Sequence, residues 1–211
     1  AVNLTLDALQ TTELKICGEL EMPIKHSLLA SQLNLEKIKS VYGHQQSLAQ
    51  CKSKLSNLLP KVKIIPVESS GLALKKAKQA STNACIAHES FASEHNLKVC
   101  KRNMEDEKNN TTRFVILGTN YPLKSGFDKT SIIISLENKP GALSKVLKIF
   151  ELSRVNLSYI QSRPSKKDKW SYSFFLDFEG HSETIKIKKL LSRLEKNSIS
   201  LKLLGSYPKA I

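Results

Sequence analysis

The sequence predicts an α/β protein with a doubly wound first domain and a smaller second domain of the split βαββαβ type. In residues 1–118, short apolar runs typical of strands alternate with amphipathic runs typical of helices. Residues 119–128 are rich in turn-forming side chains and predict a linker. In residues 129–211 the periodicities follow the order strand, helix, strand, strand, helix, strand.

The first domain is predicted to place its ligand at the ends of its strands, because ligands of doubly wound folds bind at strand carboxyl ends and helix N-termini. Ser69 and Ser70 begin a predicted helix, where their hydroxyls either hold a carboxylate or only cap the helix. Strand patterns occupy residues 14–22, 24–29, 33–42 (with a turn), 62–67, 84–87 and 97–101. Helix patterns occupy residues 44–59, 69–80 and 89–95, and residues 1–10 are an amphipathic stretch of undecided type.

The second domain has the cleaner periodicity. Its predicted strands occupy residues 131–137, 155–159, 170–178 and 199–203, and its predicted helices occupy residues 140–150 and 187–194. A lysine-rich hairpin at residues 165–169 is predicted to precede the strand that begins at Trp170.

Composition and charge narrow the range of functions. No apolar run approaches the roughly 20 residues that span a bilayer, and no export signal is visible, so we expect a cytoplasmic protein without membrane contact. The net charge of +14 is spread over both domains and only 6% of the residues are aromatic, which makes nucleic-acid binding the weakest alternative. The positive charge would instead attract a small dianionic substrate. Because the chain begins with Ala1, we expect it to start inside a longer protein or after processing.

The four cysteines do not suggest a metal site. Their wide spacing, without a histidine at ligand spacing, differs from that of zinc ligands. Each lies among apolar neighbours, so we expect buried free thiols in a reducing compartment. They are Cys17, Cys51, Cys85 and Cys100.

The stretch from Asn109 to Gly118 reads Asn-Asn-Thr-Thr-Arg-Phe-Val-Ile-Leu-Gly. Its polar half ends at Arg113, and its apolar half predicts a buried strand. A guanidinium at the mouth of a strand can bind carboxylates in a fixed, bidentate geometry. The chemistry alone leaves open whether this stretch is a carboxylate site or an ordinary polar turn entering a core strand.

Several segments of the first domain resemble the prephenate dehydratase family. In the family signature an Asn, a spacer and Thr-Arg-Phe open a strand, which corresponds here to Asn110, Thr111 and residues 112–114. Two positions depart from the family pattern, since Gly43 replaces Ser and Gln45 replaces Pro. The other similar segments are residues 14–29 with His26, 41–51, 68–71 and 84–88.

The second domain resembles the ACT domain of the same family, which senses amino acids. The similar segments are residues 138–143, 156–164 and 177–181. Gln161 replaces the Glu of the family's Glu-Ser-Arg-Pro segment, so we expect altered strength or selectivity of feedback. The resemblance implies that phenylalanine is bound by Gly141, Ala142, Leu143, Asn156, Ser162 and Arg163.

The resemblance implies a prephenate dehydratase, a carbon–oxygen lyase of phenylalanine biosynthesis, regulated by phenylalanine and needing no cofactor or metal. It divides the chain into a periplasmic-binding-protein-like catalytic domain (1–118), a linker (119–128) and an ACT domain (129–211). Thr112 would be the catalytic hydroxyl and Arg113 the carboxylate anchor beside it. Substrate contacts are expected from Phe114, Asn110, Ser69, Ser70, His44 and Gln50. Since ACT domains generally work in pairs, a homodimer or homotetramer is expected.

The family's opening segment, which contributes most of one lobe, has no counterpart in this chain, so the catalytic domain is expected to be incomplete. Two alternatives to prephenate dehydratase therefore stay open. One is arogenate dehydratase, which acts on the amino form of the same ring. The other is a non-catalytic regulatory protein that binds phenylalanine and retains half of the cleft.

Overall fold

Two compact units make up the computed structural model, which describes residues 3–107, 110–164 and 172–210. The central unit runs from Met22 to Thr112. The flanking unit combines the described residues up to Glu21 with those from Arg113 onward. The predicted hairpin at 165–169, the predicted strand start at Trp170, and Asn109 lie outside the described residues.

The helices and strands follow the predicted order. The α-helices are α1 (Asn3–Thr11), α2 (Gln45–Gln50), α3 (Lys52–Leu58), α4 (Ser70–Lys78), α5 (Phe91–Glu94), α6 (Ala142–Leu152) and α7 (Ile185–Lys196). The strands are β1 (Lys15–Pro23), β2 (Ser27–Ala30), β3 (Ser40–His44), β4 (Lys63–Val67), β5 (Asn83–Ala87), β6 (Lys98–Lys101), β7 (Thr111–Gly118), β8 (Asp128–Leu136), β9 (Leu157–Pro164), β10 (Tyr172–Glu179) and β11 (Ser200–Pro208). A short 3₁₀ turn (Leu35–Lys37) precedes β3.

A five-stranded sheet with the order β4-β3-β5-β2-β6 forms the central unit. β3 runs parallel to β4 and β5, whereas β2 runs antiparallel to β5 and β6. Because neighbouring side chains of a strand point to opposite faces, Leu28 packs with Leu48 and Leu55 of α2 and α3. Leu29 packs with Ala73 and Leu74 of α4 on the other face. The helices thus cover both faces, which confirms the predicted α/β layer.

The flanking unit contains an antiparallel sheet with the order β11-β8-β10-β9, as expected of a βαββαβ domain. α6 and α7 cover one face through an apolar cluster that includes Val146, Phe150, Phe178 and Leu190. The rings of Phe150 and Phe178 meet edge to face with their centroids 5.2 Å apart. The predicted βαββαβ order of elements in this part of the chain is therefore confirmed.

Elements from the start of the chain cover the other face of this sheet. Leu6 and Leu9 of α1 and Ile16 of β1 are buried against Ile133 and Phe175 of the sheet. From Asn3 onward, the undecided stretch is thus a helix, and its buried apolar residues Leu6 and Leu9 belong to the flanking unit. The packing therefore places α1 and most of β1 in the same unit as the C-terminal sheet. The predicted linker at residues 119–128 would instead have placed them in the other domain.

Strand β7 is more exposed than its apolar sequence predicts. It pairs with β1 in a two-stranded sheet, and only Arg113, Val115 and Gly118 of its residues are even partly buried. Val115 packs on the apolar cluster of α1 and β1, whereas Phe114 is 48% exposed and Ile116 is 54% exposed. The prediction of a buried strand was therefore wrong, because β7 lies in a two-stranded ribbon and not in the interior of a sheet.

All four cysteines are free thiols. Two of them are buried and two are partly exposed. Cys51 and Cys85 are buried as predicted, but Cys17 and Cys100 are partly exposed, which the apolar neighbours in sequence did not predict. Burial raises the pKa of Cys85 to about 12. Burial, together with the nearby carboxylates of Asp106 and Glu105, raises the pKa of Cys51 to about 12.

Two features are absent from the described residues. None of the described helices combines the length and apolar character needed to span a bilayer. Within those same residues, no three His, Cys, Asp or Glu side chains come together as a group that could hold a metal ion.

We predict that Gly205→Ala destabilises the protein by about 2 kcal/mol or more, because β1 approaches β11 closely at this glycine. A β-carbon at Gly205 would overlap the carbonyl oxygen of Ile16 and lie 3.0 Å from its nitrogen. Thermal unfolding would measure the loss. Gly71→Ala is the matched control, since its β-carbon would meet only the Ser69 hydroxyl at 3.9 Å. Equal melting temperatures for the two variants would contradict the close approach.

Candidate functional site

Several polar side chains lie at one edge of the central sheet. The parallel strands β3, β4 and β5 end there, and the antiparallel β2 begins there. This edge carries His44 at the end of β3, Ser69 and Ser70 after β4, and His26 before β2. His88 follows β5 at the same edge, although its sequence position gave no functional signal.

The helix N-termini at this edge are capped by the predicted side chains. The Ser69 hydroxyl accepts a hydrogen bond from the backbone N–H of Leu72 at 3.2 Å, which caps α4. The His44 ring accepts one from the N–H of Gln46 at 3.3 Å through Nδ1, which caps α2. Ser70 is the first residue of α4. The capping function of Ser69 is therefore confirmed, and a carboxylate-binding function remains a prediction.

Gln50 is held by a histidine that sequence reasoning did not assign to the site. His26 is buried, and its Nε2 lies 2.8 Å from Gln50 Oε1. The backbone N–H of His26 donates to Glu105 Oε2 at 2.9 Å. His26 precedes an apolar strand within a segment that resembles the family. That position was the sequence signal for a buried polar contact at His26. The contact fixes the side chain of Gln50 relative to β2.

Gly43 explains one departure from the family pattern. A β-carbon at this position would lie 2.9 Å from Cγ and Cδ2 of the buried Leu48. A serine would therefore force Leu48 to move. The structure shows a packing reason for glycine here and gives no comparable reason for Gln45.

The residues of the signature stretch differ in their surroundings. The carbonyl of Asn110 accepts a hydrogen bond from the N–H of Ile24 at 2.7 Å. Its side-chain Nδ2 is buried and has no partner among the described residues. Thr111 and Thr112 are exposed. An unpaired buried donor costs about 1–3 kcal/mol, which makes Asn110 a candidate ligand contact.

Arg113 is engaged by the protein's own side chains. Its Nε donates to Glu19 Oε2 at 2.6 Å and its Nη1 to Asp177 Oδ2 at 2.5 Å. Its Nη2 donates to the Tyr207 hydroxyl at 2.6 Å. Lys129 Nζ donates to both oxygens of Glu19, at 2.7 and 2.9 Å. We call these five residues the arginine network. It joins β1, β7, β8, β10 and β11 of the flanking unit.

The arginine network is largely shielded from water. The side chain of Glu19 is 0% exposed and that of Arg113 is 27% exposed. Burial alone would raise the pKa of Glu19, but the hydrogen bond from Lys129, the N–H of Ala210 and the charge of Arg113 hold it below its ordinary value. Burial and the charge of Asp177 raise the pKa of Tyr207. Glu19 is therefore a stable anion in the folded protein.

Asp177 has both of its oxygens bound. Oδ2 accepts from Arg113, and Oδ1 accepts from the Ser131 hydroxyl at 2.5 Å. Ser131 also lies 2.6 Å from the Tyr207 hydroxyl. The pairing register of β9 and β10 shifts between Asp177 and Phe178. Asp177 thus lies beside an irregularity in the pairing with β9, whereas its pairing with Ser131 of β8 is regular.

The predicted effector residues lie on α6, β9 and the turns before them. Gly141 adopts a left-handed conformation with φ of 81° and begins α6, followed by Ala142 and Leu143. Ser162 faces Phe174 of β10 in the pairing register. Gln161 accepts a hydrogen bond from the Tyr159 hydroxyl. Asn156 precedes β9, and its carbonyl accepts the N–H of Glu179 at 3.0 Å.

Arg163 connects β9 to the first helix. Its Nη2 donates to Asp7 of α1 at 3.0 Å, and both side chains are mostly buried. Its Nε is buried and has no partner among the described residues. The guanidinium thus retains a buried donor while it is paired to α1.

The architecture is that of an α/β protein in which a doubly wound unit with polar groups at its strand ends accompanies a βαββαβ unit. Two sequence models match the chain: prephenate dehydratase over residues 1–122 and the ACT domain over residues 130–196. The chain belongs to the prephenate dehydratase family.

Known relatives match the whole chain, but the chain spans only part of them. The bifunctional chorismate mutase/prephenate dehydratase of Aquifex aeolicus is 41% identical over 100% of this chain and 58% of its own length. The prephenate dehydratase of Methanocaldococcus jannaschii is 38% identical over 99% of this chain and 76% of its own length. The solved prephenate dehydratase of Arthrobacter aurescens in complex with L-Phe is 31% identical, with a TM-score of 0.89 over 99% of this chain and 71% of that structure.

We predict that Glu19→Gln lowers the free energy of unfolding by roughly 1–3 kcal/mol at about pH 7, because the buried Lys129 and the partly buried Arg113 lose their shared carboxylate. Because the folded pKa of Glu19 lies below its unfolded value near 4.5, its contribution is complete above that value and is lost as the pH falls through the folded pKa. Urea unfolding should show the difference from the parent narrowing below about pH 4.

The control for this measurement is Glu179→Gln, which removes an exposed carboxylate paired with Lys209. Its effect should be near zero at both pH values. A Glu19→Gln penalty that is equally large at low pH would show that lost packing, and not charge, is responsible.

Proposed function

We propose that this chain carries out the decarboxylating dehydration of prephenate to phenylpyruvate in phenylalanine biosynthesis, under feedback control by phenylalanine. The observation that carries the proposal is the match of both family models, in the family's order, over nearly the whole chain. Exposed Thr112 in the signature position supports it further.

The proposed reaction requires the protein to orient the substrate and to donate hydrogen bonds and a proton. As the ring becomes aromatic, the bond to the departing carboxylate breaks and releases carbon dioxide, and its electron pair enters the ring. The ring C–O bond breaks in the same process, and the departing hydroxide gains a proton and leaves as water. The Thr112 hydroxyl donates this proton to the leaving group and is reprotonated from solvent. Aromatisation supplies the driving force, so no cofactor is proposed.

Substrate binding is proposed to depend on hydrogen-bond donors of the protein, one of which is buried without a partner among the described residues. The N-terminus of α4, with Ser69 and Ser70, is suited to a carboxylate because its backbone N–H groups and dipole favour negative charge. The unpaired amide of Asn110 offers a further donor. His44 and Gln50 are proposed as supporting polar contacts, and the half-exposed ring of Phe114 as an apolar wall. The sequence-based proposal for Arg113 is a carboxylate anchor.

The regulatory part of the proposal concerns residues 129–211 as an ACT domain that follows a catalytic domain at 1–118 and a linker at 119–128. Phenylalanine is proposed to bind at Gly141, Ala142, Leu143, Asn156, Ser162 and Arg163. The Nε of Arg163, which has no partner among the described residues, supports an anionic ligand group at this end of β9. We further propose a cytoplasmic homodimer or homotetramer.

Two alternatives lead to different measurements. An arogenate dehydratase would turn over arogenate in preference to prephenate. A non-catalytic regulatory protein would bind phenylalanine in calorimetry and turn over neither substrate. A spectrophotometric assay of the full-length protein with both substrates separates the three functions, and exclusive use of arogenate would contradict the main proposal.

We predict that Thr112→Ala lowers turnover of prephenate by about a hundredfold or more, because the leaving hydroxide loses its donor. Thr111→Ala, which removes the same side chain from the neighbouring exposed position, should change turnover by less than about threefold. Thr112→Ser should retain part of the activity. Phenylalanine affinity, measured by calorimetry, should stay the same in Thr112→Ala. If Thr111→Ala proves the more damaging variant, the catalytic assignment is wrong by one residue.

We predict that Arg163→Ala raises the phenylalanine concentration for half-maximal inhibition by about tenfold or more, since a charged partner of the effector is removed. Lys148→Ala, which deletes an exposed cation of α6, is the control and should leave inhibition unchanged. Inhibition curves at fixed prephenate concentration measure both variants. An unchanged curve for Arg163→Ala would move the effector site elsewhere.

A further inference from the structure

The guanidinium of Arg113 lies in a closed arrangement of charges. Each of its three nitrogens donates to an acceptor of the flanking unit: Nε to Glu19, Nη1 to Asp177 and Nη2 to Tyr207. With Lys129 the arginine network contains two cations and two anions, so its charges balance. Nothing in this balance calls for an additional anion.

Releasing Arg113 to a substrate would be costly. Glu19 would keep Lys129 and the N–H of Ala210 as partners, at 2.7 and 3.0 Å, but Asp177 would keep only the hydroxyl of Ser131 among the described contacts of its side chain. A buried carboxylate that loses its cation is strongly destabilised. The network therefore favours Arg113 as a fixed structural contact of β7 over a group that exchanges partners during turnover.

The same contacts reach the strand next to the proposed effector segment. Asp177 belongs to β10, which pairs with β9, the strand that carries Ser162 and Arg163. Ser158 of β9 donates its hydroxyl hydrogen bond to the carbonyl of Asp177 at 3.1 Å. A change in β9 on effector binding would thus act directly on the residue that holds Arg113.

Arg113 is the residue after Thr112 in β7. A shift of its guanidinium moves the backbone of β7, and a misplacement of about 1 Å in a catalytic group can cost a hundredfold in rate. Because a packed sheet edge has few alternative arrangements, such a shift is expected to be a discrete change of contact partners.

We propose that Arg113 is a positioning residue: held by Glu19 and Asp177, it clamps the strand that bears Thr112 to the C-terminal sheet and passes the effector-bound state of that sheet to the catalytic hydroxyl. The inference rests on the proposed function for its kinetic consequence. It differs from the family-based expectation, in which the arginine binds the substrate.

A double-mutant cycle on the full-length protein tests the positioning function. Arg113→Lys keeps a charge but loses the three-way donor geometry, and Asp177→Asn removes its anionic partner. Each variant should lower kcat by about ten- to a hundredfold while KM for prephenate stays within about threefold. The double variant should be no worse than the more affected single variant, because both changes break one contact.

Direct substrate binding by Arg113 would overturn the proposal. If Arg113→Lys raises KM by about tenfold or more while Asp177→Asn leaves both constants unchanged, Arg113 binds the substrate directly. Glu179→Gln is the matched control, because it removes an exposed carboxylate two residues along β10, paired only with Lys209 in the described ion pairs. If Asp177→Asn fails to fold, Ser131→Ala, which removes the hydroxyl donor to Asp177, takes its place and should lower kcat in the same sense.

An activity-independent experiment separates this inference from the proposed function. Hydrogen–deuterium exchange of the peptide covering residues 111–118 should change on addition of phenylalanine in the parent. In Asp177→Asn the change should disappear, while calorimetry gives a phenylalanine Kd within about threefold of the parent. A β7 response that persists in the variant, or its absence in the parent, overturns the inference. If the parent turns over neither substrate, the proposed function is wrong. The exchange experiment still tests whether Asp177 couples phenylalanine binding to β7.

Discussion

The ion pairs of Arg113 with Glu19 and Asp177 are the interaction on which the flanking unit depends most. They join residues from both ends of the chain, and their carboxylates are too deeply buried to be left without cations. Tyr207 and Lys129 complete the arrangement on the same sheet. Strand β7 is therefore fixed to the C-terminal sheet at the residue that follows the signature threonine. The catalytic proposal and the regulatory proposal thus meet at one guanidinium.

Sequence reasoning predicted most of the secondary structure because hydrophobic periodicity is a local property. It predicted the helix cap at Ser69 and the order of strands in the second domain for the same reason. It failed for the burial of β7, since an apolar run does not reveal whether a strand has one neighbour or two. The partners of Arg113 were equally hidden, because Glu19 and Asp177 lie 94 and 64 residues away and no spacing rule connects them.

The candidate site was predicted through family resemblance more than through chemistry. His26 is an example of a contact that local sequence patterns do not predict. It contacts Gln50 because the residue before β2 lies next to the end of α2. Leu6, Leu9 and Ile16 show it again, because their spacing predicts an apolar face without saying which sheet will cover it. Such contacts between distant residues depend on which strands and helices are neighbours in the fold. The sequence predicted the order of the elements along the chain but not all of their neighbours.

The coverage of the C-terminal sheet on both faces has a consequence for engineering. If residues 129–211 were excised, α1 and β1 would be lost, and Ile133, Phe175 and Leu204 would be left facing water on an open sheet. Such a surface promotes self-association or misfolding. In this protein the βαββαβ fold is therefore not a portable module, and a transplantable version would have to include the described first helix and strand or replace their apolar side chains.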